Sequence, residues 1–281
     1  MPFKNYDTIT VYSLLYGCCL KSCHTAIVQS ENTFYCIKMK EINSYGDIEK
    51  LVMETGFLPF FHIGISGFSI EEFTPQDLWF SEEEGPWEWK GPVIRNQNCA
   101  YGKLFQKKAG FVSMEWFPEL VNYRRAAYDI WKQSSKSMER VIYDTVKEHE
   151  SLLSKEIKAL CGYKKKSVKK SANPFDSWES DTVKALLKSS KPKGEGFETV
   201  ITRLQMGTWL IVADFEYLYS KKGDRYGWGV ARYTTPEALL GEDIVNASNH
   251  RSPEESKQRL TEYLTQLLPQ ATPAQILKII G

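Results

Sequence analysis

The stretch FETVITRLQMGTWLIVADFEY, residues 197 to 217, changes period almost without a loop. Phe197, Val200, Ile201 and Leu204 recur at helical spacing, Leu210, Val212, Asp214 and Glu216 alternate, and only Gly207 and Thr208 separate the two patterns. A helix tied so closely to a strand must share one core with it. SKKGDRYG then supplies a turn and WGVARYT a returning strand. Upstream, MERVIYDTVKEH sets Val141, Ile142, Thr145 and Val146 on one helical face. SLLSKEIKALCG adds a second short helix, with a cap-like Ser154, apolar Ile157 and Leu160, and a stop at Gly162.

Three helices, a strand, a turn and a strand follow the order of a winged helix-turn-helix. In such a domain the third helix enters the DNA major groove and the hairpin touches backbone or minor groove. Arg203 and Gln205 are then candidates for base or phosphate contact, with Lys221, Lys222 and Arg225 at the hairpin tip and Lys155 on the second helix. The competing reading makes these residues a solvated face. Between the second and third helices lies an insert, residues 163–195, with nine lysines. It reads either as a loop for sequence-independent phosphate contacts or as a solubilising linker. Within it Val183, Leu186 and Leu187 predict a short docked helix.

Charge fixes what such basic patches can mean. The 281 residues carry 36 Lys and Arg against 35 Asp and Glu, a net charge of +1, so any basic surface must be local. Cys18, Cys19, Cys23 and Cys36 fall early, but GCCLKSCH has no second pair at zinc-ribbon spacing, and no metal is expected. No cofactor is expected either, because GDRYGWG is not followed by a helix. No run reaches membrane-spanning length, and a cytoplasmic protein with reduced thiols is the expectation.

Elsewhere, YGDIEKLVMETG predicts a helix with Asp47 as N-cap and Gly56 as stop. HIGISGFSIEEFTPQDLWFSEEEGPWEWKGPVI, rich in Gly, Pro and Trp, reads as loop and short strands. A hairpin follows, Tyr101 to Phe105 and Phe111 to Met114 around a Gln106 to Gly110 turn, and Pro118 opens the next helix. Near the C-terminus Ser252, Pro253 and Glu254 begin a helix striped by Leu260, Tyr263, Leu264 and Leu267. The expected class is α+β, tandem winged helix-turn-helix modules with a small β hairpin region. Its divisions are a poorly specified extension (1–40), a helix with an aromatic-rich β region (41–135), the winged unit (136–241) and closing helices (242–281).

GFLPFF, KAGFVSMEWFPELVNYRR, LLSKEIKAL and GWGVARY, in this order from about Tyr45 onward, resemble the AlkZ-related proteins, distant relatives of the AlkZ and YcaQ DNA glycosylases. The resemblance implies tandem winged helices closed by a small β domain, a concave basic surface for duplex DNA, and an ancestral role in excising alkylated bases or unhooking cross-links. The glycosylases place a Gln, apolar, Gln or Asp pattern after a Gly-Leu. The matching stretch is GFLPFFHIG, with Pro59 and Phe61 at the polar positions. Neither side chain can transfer a proton. A pocket for a flipped base needs stacking walls, for which Trp87, Trp89, Tyr101 and Trp116 are candidates, and polar chemistry, for which Glu88, Glu115 and His62 are. The leading expectation is a DNA-binding protein without the usual catalytic pair. The alternatives are a glycosylase with a rearranged site and a protein-interaction module.

Overall fold

The computed structural model describes residues 25–30, 33–38, 41–80, 84–163, 195–220, 222–223 and 225–281. The lysine-rich insert with its expected helix, the early cysteines other than Cys36, and Lys221 lie outside these residues. The first described elements are an antiparallel hairpin, β1 (Thr25–Ser30) and β2 (Thr33–Lys38).

Helix α1, Tyr45–Thr55, is capped by Ser44, whose hydroxyl accepts the Asp47 N–H. Asp47 was the expected cap. Its carboxylate instead reaches back to the Ser44 hydroxyl and the Asn43 N–H, so the two residues close the helix start together. Gly56 ends the helix at φ 70°, and a Cβ there would meet the Trp116 ring at 2.4 Å. Next come β3 (Phe57–Pro59), α2 (Ile70–Phe73), a 3-10 turn at Gln76–Trp79 and α3 (Pro86–Arg95). The loop-and-strand reading of this region is corrected by α3. Pro86 sits in its first turn and the Glu88 carboxylate takes the Gly85 N–H at 3.0 Å, a sound start that Gly91 and Pro92 obscure in the sequence. Trp89, Val93 and Ile94 bury one face, which holds the helix together despite Pro92.

Strands β4 (Cys99–Phe105) and β5 (Lys108–Ser113) follow, joined by Gln106 and Lys107, at φ 48° and 68°. Two consecutive positive φ values mark the mirror-image turn whose twist suits a tight hairpin. The turn is therefore shorter than the expected Gln106 to Gly110, and β5 starts three residues earlier. Sheet order is β3-β5-β4, antiparallel throughout. After α4 (Phe117–Ala127) come α5 (Met138–Glu148), β6 (Ser151–Leu153), α6 (Ser154–Leu160), α7 (Phe197–Met206), β7 (Ile211–Tyr219) and β8 (Arg225–Thr234). Their sheet runs β6-β8-β7. Among the described residues, helix, short strand, two helices and a hairpin thus occur in this order twice, with the last strand central each time.

The two units exchange cover. Helix α3 of the first lies along β7 of the second, α7 of the second lies along β4 of the first, and β4 and β7 are neighbours. Arg95 pairs with Asp214 at 2.8 Å on one side. On the other, the Lys103 N–H donates to Gln205 Oε1 at 2.9 Å, and Lys103 Nζ reaches Thr202 Oγ1 at 3.1 Å. Gly102 permits this approach, since a Cβ there would lie 3.2 Å from Gln205 Oε1.

Helices α8 (Pro236–Leu240), α9 (Glu242–Val245), α10 (Pro253–Leu267) and α11 (Pro273–Ile280) close an apolar cluster that includes Phe57, Phe105 and Phe117. Ser252 and Glu255 form a reciprocal cap on α10, which lies against α4. There buried Glu119 accepts from Arg251, Arg259 and Ser256. The architecture is α+β with small antiparallel sheets. Among the described residues no helix is long and apolar enough to cross a membrane.

Candidate functional site

The GFLPFF stretch leaves β3 with its backbone still bonded to the sheet, since the Phe60 N–H donates to the Ala109 carbonyl at 2.8 Å. Phe57 through Phe60 are all buried, and Phe61 is half-buried at the edge of this core. Phe61 lies 6.0 Å from the Trp79 ring and 5.8 Å from Trp87, and Trp79 and Trp87 meet edge to face at 5.4 Å. Phe60 closes the group, 5.5 Å from Trp79 and 5.8 Å from Trp87.

Lys90, one turn along α3 from Trp87, extends its amine over this box. Nζ stands 4.4 Å from the Phe215 centroid, 5.0 Å from Trp87 and 5.3 Å from Phe60. Among the described residues it makes no salt bridge or hydrogen bond. Burial pushes the amine down to about 8, opposed by the charge of Glu88. Glu88 faces elsewhere: it caps Gly85 and pairs with Arg225 at 2.8 Å. The box is therefore a packed aromatic cluster with an amine over it that gives up its proton near pH 8.

The remaining expected site residues are dispersed. Of the four stacking candidates Trp87 alone is half-buried and in the box. Trp89 is buried in the core. Tyr101 is buried between Phe111, at 4.5 Å, and Phe215, at 5.9 Å, with its phenol pushed up by burial. Trp116 stacks on Tyr263 at 4.0 Å. His62 is exposed, its ring taking the Gly64 N–H at 3.3 Å and standing 4.0 Å from Glu72. Glu115 is exposed just before α4.

The nucleic-acid candidates divide by partner. Arg203 is held by Glu139 and Glu195, and the Glu195 hydrogen bond raises its already high pKa. Gln205 is 1% exposed, its amide joining Ile201 to Lys103. Arg225 is paired with Glu88, and the side chains of Lys155 and Lys222 lie at the surface, Lys155 also with an interaction of its own. The first hairpin differs. Cys99–Ser113 contains Lys103, Lys107 and Lys108 and no acidic residue, and among the described residues none of the three lysines has a carboxylate partner. These lysines went unremarked in the sequence, although KLFQKKAG at a hairpin tip was the signal that could have found them.

Among the described residues, two like-ordered helix-and-sheet units, locked by exchange and carrying a basic hairpin beside an aromatic box, define an α+β protein with small antiparallel sheets. The chain belongs to the AlkZ-related family, whose model matches residues 42–281. No curated protein and no solved structure matches it significantly.

Proposed function

We propose that the protein is a tandem winged-helix DNA-binding protein of glycosylase descent, without the usual catalytic pair. The uncompensated β4–β5 hairpin carries this reading. Its lysines present positive charge at the place where a wing meets phosphate, and phosphate neutralisation releases counterions. Of the second hairpin's cations, Arg225 and Arg232 are paired with Glu88 and Glu216. Both third helices are covered by the opposite unit, so recognition falls to the wings and is insensitive to sequence. Pro59 and Phe61 occupy the positions that the resemblance assigns to the polar pair, which supports binding without the ancestral chemistry.

The test is anisotropy of a labelled duplex across a salt series. Wild type should bind with a steep salt slope and little sequence preference. Lys107→Glu with Lys108→Glu should weaken binding and reduce the slope by about 2. An unchanged slope would remove the hairpin from the interface.

A second reading rests on the aromatic box. It lies where the polar pair would stand and could wall a flipped base, making the protein a glycosylase with a rearranged site.

A further inference from the structure

An amine among three rings has an unusual chemical character. Lys90 Nζ lies within 5.3 Å of the Phe60, Trp87 and Phe215 centroids, and among the described residues nothing hydrogen-bonds to it. Charges on the elements facing it are engaged with each other: Glu88 with Arg225 from β8, and Arg95 of its own helix with Asp214 from β7. Tyr217, also on β7, donates its hydroxyl to the Trp87 carbonyl at 3.4 Å. Lys90 itself is half-buried, so the amine is shielded by rings and still open at one side.

We propose that Lys90 is a nucleophile that captures an aldehyde as a reversible imine, the ligand being the ring-opened deoxyribose of an abasic site in duplex DNA. The neutral amine adds to the C1′ carbonyl, forming the N–C bond. The resulting carbinolamine loses the former carbonyl oxygen as water and leaves a C=N bond, with no change of oxidation state. Burial supplies the needed neutral form, because an amine pushed down to about 8 is substantially deprotonated where an ordinary lysine is not. This inference rests on the DNA-binding reading.

The test is reductive trapping. The full chain is mixed with a duplex carrying one abasic site, or with the intact duplex, and borohydride is added to convert any imine into a stable amine. Wild type should form a covalent adduct with the abasic duplex alone, in yield rising several-fold from pH 6.5 to 8.5, and peptide mapping should place it on Lys90. Lys90→Arg keeps the cation over the rings but removes the nucleophile, and should lower the yield at least tenfold while intact-duplex binding persists. Binding without an adduct, or an adduct mapped to another lysine, would overturn the inference and leave the DNA reading standing. Failure to bind either duplex would overturn both.

Discussion

Arg124 Nε donates to the Ile280 carbonyl at 2.6 Å, which ties the middle of the chain to its last helical turn. The other guanidinium nitrogens reach the carbonyls of Ile279 at 2.7 Å, Leu104 at 2.9 Å and Met206 at 3.1 Å. One planar fork thus joins α11, β4 and α7, and its charge sits at the negative end of α11. Burial lowers its pKa to about 10, yet it remains charged at neutral pH.

Arg124→Met should fold with stability reduced by about 3 kcal/mol, because four carbonyls, three of them buried, lose their donor. Arg124→Lys should recover only part of this, since one ammonium cannot span all four. Urea unfolding measures the loss, and amide exchange in α11 should accelerate before the rest of the molecule. Protection unchanged in α11 would show that the apolar contacts of Ile276 and Ile279 suffice.

Gln205→Ala should cost about 1–3 kcal/mol by orphaning the Lys103 N–H between the units. Gly102→Ala combined with Gln205→Ala should cost less than the two single changes summed, because the truncated Gln205 makes room for the new methyl. A double-mutant cycle by chemical denaturation decides it, and strict additivity would deny the coupling.

Alkaline titration should expose Lys90. Its folded pKa lies near 8, below the usual 10.5, so between these values the unfolded chain holds more protons and wild-type stability rises with pH. Lys90→Met should lack this rise and be more stable than wild type below pH 8, by on the order of 3 kcal/mol at most. Cys99, pushed up to about 12, works the opposite way above pH 9 in both proteins, so the difference between them is the quantity to follow. A difference that stays flat from pH 7.5 to 10.5 would contradict the buried amine.

Methylated and cross-linked duplexes incubated with the protein should yield no abasic sites, since Pro59 and Phe61 supply no proton-transferring group. Product that forms with wild type and disappears in Glu88→Gln would overturn this reading and place the chemistry at the Glu88–Arg225 pair rather than in the aromatic box.

Helical period made α5 and α7 readable, because each buries a regular stripe, and the β7–β8 hairpin was legible from its turn although β7 buries Ile211 and Val212 side by side. Helix α3 was hidden by Gly91 and Pro92, whose cost is offset by tertiary burial that no local window registers. The partners of the candidate site were also out of reach. Gln205 meets the Lys103 N–H across 102 residues, and Arg225 meets Glu88 across 137, so polar groups that look free along the chain are engaged in space.

The exchange of cover between the units also sets an order of events during synthesis. The Arg95 side chain waits for Asp214, 119 residues later, before its face of α3 is closed. At the ribosome's pace that interval is about 6 to 24 s, during which the nascent first unit carries an open flank. Box residues Trp87 and Lys90 border that flank, exposed until Phe215 arrives. A chain stalled within the lysine-rich insert would present the same flank indefinitely, making it a natural handle for chaperones and quality-control proteases.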